Sequence, residues 1–286
     1  MHRARVTLAL AIALALANGL VVPLRAQDAG FKPEDLVPRH LAAIGPAATR
    51  SGTKSRVVQG AAVYRILVGG GGREEGKVGL VSEGHKLRLM LRFPGDYSRE
   101  NVLFNGEVAQ VAFGNSNQSR SPMASFLATQ DVILRDGLLG GVLTTAWPIQ
   151  DLKDRGAKLG YEGLKKVDGR SVYEARYEPR KHSDVEILLF FDAETLRHVK
   201  SVYSLSIGNN VGATILESAH LKPERSQLEE RFSDFTTVDG LTLPTHWNLQ
   251  FTRELPDGST TISEWDSKSV EIQNNVGLDP RNFAAK

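Results

Sequence analysis

Polar and apolar positions alternate most regularly over residues 86–93, where Leu87, Leu89, Leu91 and Phe93 face one way and Lys86, Arg88, Met90 and Arg92 the other. A period of two predicts a strand with one buried and one wet face. The same period starts at 56–68, crosses the glycine loop 69–72 and returns at 77–81. Beyond the alternating run, Gly95-Asp96 turns the chain, 98–105 runs back, and Asn105-Gly106 leads into 107–113. Later runs pair in the same way. Residues 161–167 pass through Asp168-Gly169 into 171–177, and 185–191 pass through the turn 192–195 into 196–207. Residues 228–237 pass through Asp239-Gly240 into 241–255, and Pro256-Asp257-Gly258 leads into 260–272. Turn chemistry of this kind between alternating runs predicts about ten or eleven antiparallel strands in sequence order.

Two stretches have helical spacing. Residues 33–44 place Leu36, Val37, His40, Leu41 and Ile44 on one face, with Pro33 in the first turn, a kink expected at Pro38, and Gly45-Pro46 as the stop. His40 reads as a packed face residue, because no second metal-type residue lies at helical spacing from it. Residues 121–147 predict a helical pair, the first presenting Met123, Phe126 and Leu127, the second Leu134, Leu138, Leu139, Val142 and Leu143. Gly137, Gly140 and Gly141 weaken the second by about 1 kcal/mol each relative to alanine, so it must lean on a sheet.

Strands of nine or more residues span about 30 Å at about 3.3 Å per residue, and a sheet of so many strands curls. The fold expected is mainly β: a single curled antiparallel sheet, an open half-barrel, with an N-terminal helix and a helical lid over an apolar concave face. Its wall is assigned to Leu87, Leu89, Leu91, Phe93, Trp247 and Phe251, and its lid to Phe126, Leu127, Leu138 and Leu139. Each of these residues is ordinary core material alone; together they line an apolar pocket without a polar cluster for a sugar or nucleotide, which suits a lipid-like ligand. Burying about ten methylenes at roughly 0.8 kcal/mol each gives a gross of about 8 kcal/mol before association costs, enough for reversible carrying.

The N-terminus sets the compartment. Arg3 and Arg5 precede an uncharged apolar run over 6–22, which reads as a secretory signal peptide covering residues 1–26. A membrane anchor is disfavoured by the short run and by Asn18-Gly19 within it. Ala26 before Gln27 and Ala17-Asn18-Gly19 are the two candidate cleavage sites. The remainder, 27–286, is expected to form one domain. The chain has no cysteine, so neither a cysteine-linked lipid nor a disulfide is available. Removing Arg3, Arg5 and Arg25 takes the basic count from 35 to 32 against 33 acidic residues, so the net charge of +2 becomes −1. Nucleic acid and anionic membrane surfaces are therefore poor partners. A periplasmic monomer is expected.

Catalytic motifs are missing from the sequence. It contains no Gly-x-Ser-x-Gly elbow, no cysteine nucleophile and no His-Glu-x-x-His, and Arg73-Glu74-Glu75 follows the glycine run where a phosphate loop needs Lys-Ser/Thr. The histidines are scattered, with His182 and His198 beside turns and His246 pointing away from the Trp247 side, so no metal or cofactor is expected. Glu229, Glu230 and Asp234 read as charges on the wet face of a strand rather than as acid/base carboxylates. The chain is not expected to be an enzyme.

Several turn segments carry a resemblance. Val167-Asp168-Gly169-Arg170, Leu189-Phe190-Phe191-Asp192-Ala193-Glu194-Thr195-Leu196, Phe232-Ser233-Asp234-Phe235, Val238-Asp239-Gly240, Leu243-Pro244 and the helix end His40-Leu41-Ala42-Ala43-Ile44-Gly45 resemble the periplasmic outer-membrane lipoprotein-carrier superfamily, the LolA-like proteins. Pro38, and Pro46 in place of a second glycine, depart from that pattern. The resemblance implies the half-barrel with its lid, lipid or lipoprotein acyl chains as ligands, a role in transport and outer-membrane biogenesis, and a strand arginine that holds the lid shut, for which Arg56, Arg65, Arg88 and Arg92 are candidates. It also implies an alternative: an envelope sensor or scaffold module of the same fold that binds a protein partner.

Overall fold

In the computed structural model, which describes residues 31–95, 99–111, 120–208 and 222–284, the alternating runs become thirteen strands of one antiparallel sheet. They are β1 Ser55–Val68, β2 Arg73–Glu83, β3 Lys86–Arg92, β4 Glu100–Phe104, β5 Ala109–Val111, β6 Lys158–Val167, β7 Arg170–Glu178, β8 Glu186–Asp192, β9 His198–Ile207, β10 Glu224–Val238, β11 Leu241–Glu254, β12 Thr260–Ser267 and β13 Glu271–Asn274. The order is β5-β4-β3-β2-β1-β12-β11-β10-β9-β8-β7-β6, with β13 also on β1, so β5 and β6 end an open sheet. Among described strands, only β1–β12 and β1–β13 join elements distant in sequence.

The expected final strand over 260–272 is two strands. Ser269 has φ 54°, and the Val270 N–H donates to the Thr245 carbonyl, so the chain breaks between β12 and β13, which lie along successive halves of β1. The Asp-Gly turns form as expected. Asp168 and Gly169 have φ 50° and 81°, and Asp239 and Gly240 have φ 51° and 77°, the pair of positive values a type I′ hairpin requires. The signal-peptide reading of 1–26, Asp96 of the first turn, and the flanks of the 98–105 and 107–113 runs lie outside the described residues.

Cross-strand register defines an inner face. Leu89 pairs with Leu80 and Val102, Leu80 with Val58, Tyr64 with Trp265, Trp265 with Leu249 and Leu249 with Glu230, so all of these share one side. At the N-terminus a short 3-10 turn, Pro33–Asp35, leads into α1 Leu36–Ile44. Pro38 falls in the first turn of α1, where its missing N–H leaves nothing unpaired, so the change of helix type precedes it and α1 continues to Ile44. Gly45 has φ 151°, and a Cβ there would lie 2.7 Å from the Gly240 carbonyl oxygen. The short α2, Ala47–Gly52, follows.

The helical pair is half right. α3, Pro122–Thr129, forms, capped by Ser121 Oγ accepting from the Ala124 N–H at 2.9 Å. The second helix does not. Only α4, Val132–Arg135, is helical before left-handed Gly137, Gly140 and Gly141, with φ 68°, 81° and 49°, turn the chain into short 3-10 turns and α5, Leu152–Arg155. Left-handed glycines end an α-helix instead of merely weakening it. On the outer face the C-terminal segment covers β1–β4: Phe283 packs with Val81 and Leu103, and Arg88 donates to the Asn282 carbonyl at 3.2 Å.

Candidate functional site

The segment 122–147 lies over the inner face and is held by its backbone. Glu230 reaches that face because Leu228, Glu230 and Phe232 alternate with Glu229 and Arg231 along β10. Its carboxyl is fully buried, with Oε2 accepting from the Gly140 N–H at 2.8 Å and the Trp247 indole N–H at 2.9 Å. Oε1 lies 3.0 Å from the Tyr203 hydroxyl, which also reaches the Leu138 carbonyl at 3.1 Å. Burial pushes the Glu230 carboxyl up to about 7, against the hydrogen bonds from Gly140, Tyr203 and Trp247 that favour the anion.

The hydrogen bonds can be arranged in two ways. Tyr203 has one proton to donate. Because Oε2 already takes two N–H donors, a protonated Glu230 carries its hydrogen on Oε1 and donates to Tyr203, which then donates to Leu138. Ionised Glu230 claims the Tyr203 proton instead, and the Leu138 carbonyl loses its donor.

Three further ties hold the covering segment. Arg56 on β1 is buried and donates from Nη1 to the Val142 carbonyl at 2.6 Å and from Nε to Asn274 at 2.7 Å. Burial lowers its guanidinium to about 10, so it stays charged at neutral pH. Of the four candidates for a single latch arginine, Arg56 makes this contact; Arg65 pairs with Glu264 and Asp266, Arg88 bonds Asn101 and Asn282, and Arg92 is exposed. Ser82 accepts from the Thr145 N–H at 2.9 Å, and Thr145 donates its hydroxyl proton to the Gly84 carbonyl at 2.9 Å. At the other end Ser121 donates to Glu100 on β4, whose carboxyl burial pushes up to about 8.

A second polar group is threaded through aromatic rings. The Trp147 indole N–H donates to His40 Nε2 at 3.0 Å, so His40 carries its proton on Nδ1 and donates it to the Leu196 carbonyl at 2.9 Å. Burial lowers His40 to about 4 and keeps it neutral. His198, expected only beside a turn, is fully buried, stacked on Trp147 at 4.5 Å and bonded to Ser201. Leu196, the receiving residue, has φ 56°, a strained value for a bulky side chain.

All ten residues assigned to the wall and lid are buried. Leu87, Leu89, Leu127, Leu138, Leu139 and Trp247 are 0% exposed, Leu91 is 1%, Phe251 3%, Phe93 4% and Phe126 5%. Lid and wall touch directly: the Phe126 and Phe251 rings lie 5.5 Å apart, and a Cβ on Gly140 would lie 2.7 Å from Leu80 Cδ2. None of the ten lines either of two surface clefts of about 650 and 450 Å³. Sequence reading missed Glu230, placing it on the wet face; the signal was the period of two that joins it to Leu228 and Phe232.

An open antiparallel half-barrel with its inner face covered by a backbone-tied, mostly apolar segment is the class of fold these contacts define. No family model and no curated protein sequence matches the chain. Among solved structures it is similar to a LolA superfamily protein from Nitrosomonas europaea, at 12% identity over 89% of this chain and 98% of that one, with a TM-score of 0.46. It is likewise similar to a DUF1329 family protein from Desulfovibrio piger, at 14% identity, 89% and 98% coverage and a TM-score of 0.45. An outer membrane lipoprotein-sorting protein domain from Vibrio parahaemolyticus matches at 12% identity, 88% and 97% coverage and a TM-score of 0.46. No helix among the described residues is long and apolar enough to cross a membrane.

Proposed function

We propose that this protein is a periplasmic carrier that binds a lipid, a lipoprotein acyl chain or another amphiphile between sheet and lid. The observation that carries the reading is the composition of the interface. The ten large apolar side chains assigned to wall and lid are buried, with Phe126 against Phe251, while the backbone ties from Arg56, Glu230, Ser82 and Tyr203 are few. An acyl chain entering there replaces one apolar surface by another, so the cost of opening is mainly the polar ties, worth about 1 kcal/mol net each and about 2 kcal/mol for the charged Arg56. In this reading residues 1–26 are removed on export and 27–286 act as a monomeric domain in the periplasm without a lipid anchor. Solvent extraction and native mass spectrometry of protein purified from its own periplasm test it. A co-purifying amphiphile is the expected result; none, together with no uptake of a fluorescent fatty-acyl probe, overturns it.

A protein-binding module of the same fold is the second reading. It draws support from β6, a ten-residue strand at the end of the described sheet order, which offers backbone groups to an added strand. A partner retained by delipidated protein in a pull-down favours this reading over the first.

A further inference from the structure

Ser233 on β10 pairs with His246 on β11, and Asp266 on β12, the partner of Asn248, lies diagonally across from His246, all three on the outer face and away from the lid. The Ser233 hydroxyl donates to His246 Nδ1 at 2.9 Å, and His246 Nε2–H donates to Asp266 Oδ1 at 2.6 Å. Each side chain thus meets the next in the order nucleophile, base, orienting carboxylate. Asp266 is nearly buried; burial raises its carboxyl, but hydrogen bonds from His246 and Asn248 and the Lys268 charge outweigh this and hold it below the usual range. The proton is therefore fixed on Nε2, leaving the Nδ1 lone pair to Ser233. Asp234 Oδ2 lies 3.7 Å from Nδ1, beyond hydrogen-bond reach.

A polar ladder on a wet sheet face accounts for the hydrogen bonds alone. Two other features do not follow from such a ladder. The three side chains line a cleft of about 450 Å³, which also has an apolar end formed by Val167, Val172, Phe190 and Val199. Directly after Ser233 the backbone departs from strand geometry: Asp234 has φ 55°, and the ladder passes from Ser233–His246 to Phe235–Pro244 in unchanged register. Strained non-glycine residues concentrate at sites where a side chain must be aimed. Arg231, two residues before Ser233 on the same face and half-exposed, lines the cleft as well.

We propose that this outer cleft is a serine acyl-transfer site that hydrolyses carboxylic esters of short apolar acyl groups, with Ser233 as nucleophile and His246 as base. Ser233 Oγ bonds to the acyl carbon as its proton passes to His246 Nδ1, and the carbonyl electron pair moves onto oxygen beside the Arg231 guanidinium. Collapse of the tetrahedral intermediate expels the alcohol, which takes the proton from Nδ1 and leaves an acyl ester on Ser233. Water repeats the sequence, releasing the acid and restoring the serine. Asp266 is a positioning residue that holds the imidazole in its tautomer.

The test uses the folded chain with a fluorophosphonate probe and p-nitrophenyl butyrate. Expected are a covalent adduct mapped to Ser233, its absence in Ser233→Ala and in heat-denatured protein, and ester turnover lowered roughly 100-fold or more in Ser233→Ala with an unchanged far-UV spectrum. Asp266→Asn is expected to lower kcat roughly 100-fold with KM retained, a split that a structural role does not produce. An unlabelled Ser233 in the native protein, or turnover undiminished in Ser233→Ala, overturns the proposal.

Discussion

Glu230 shows how one residue links sequence period, burial and proton. The unfolded chain releases its proton near 4.5, whereas the folded chain keeps it to about 7, so the folded state binds more protons between those values. Stability therefore falls as pH rises through that window, by roughly 3 kcal/mol in total for a shift of this size. Glu230→Gln keeps an acceptor for Gly140 and Trp247 and supplies a donor for Tyr203 without the charge. The thermal midpoint of the variant relative to the wild type is expected to climb between pH 5 and pH 8; an offset that does not change with pH would show that Glu230 is not protonated in the fold. His40 works in the opposite direction. Its folded value of about 4 lies below the ordinary 6.5, so its contribution is present above pH 6.5 and is lost as pH falls toward 4. His40→Gln is expected to flatten that acid limb in the same melts, and a limb of undiminished slope would assign it elsewhere.

At the scale of elements, the covering segment owes its path to glycine. Gly137 and Gly140 have φ 68° and 81°, and added Cβ atoms there would lie 2.3 Å from the Ala146 carbonyl oxygen and 2.7 Å from Leu80 Cδ2. Gly137→Ala forces both a left-handed alanine and a backbone clash, and a loss of about 2 kcal/mol or more by chemical denaturation is expected. A loss under about 0.5 kcal/mol would mean that the segment re-routes freely. Arg56→Met removes the charge-assisted tie to Val142, and hydrogen exchange of residues 138–145 is expected to quicken roughly tenfold, with β3 and β10 unchanged. Uniform quickening would point to global destabilisation rather than a latch.

For the whole molecule, alternation and turn chemistry made the sheet legible. The inner face of β3 and the paired positive φ values of both Asp-Gly turns follow from local rules. Four features did not. The split at Ser269 depends on a contact with Thr245 from another strand, and the second lid helix fails because three glycines adopt φ values that spacing alone does not encode. The Ser233–His246–Asp266 row needs the register of three strands, and the Trp147–His40–Leu196 chain joins residues far apart in sequence. Long-range pairing is where a single sequence says least, and the contacts of Glu230, Arg56 and His40 are long-range pairs.

The central claim is that sheet and lid open to hold an acyl chain. A titration of delipidated protein with a fluorescent fatty-acyl probe, with Leu138→Ser in parallel, tests it most directly. Expected are saturable binding with one site per chain, faster hydrogen exchange at 138–145 on binding, and affinity weakened in Leu138→Ser while the far-UV spectrum is retained. No saturable binding by the wild type, or binding unaffected by Leu138→Ser and silent in the exchange of that segment, contradicts it.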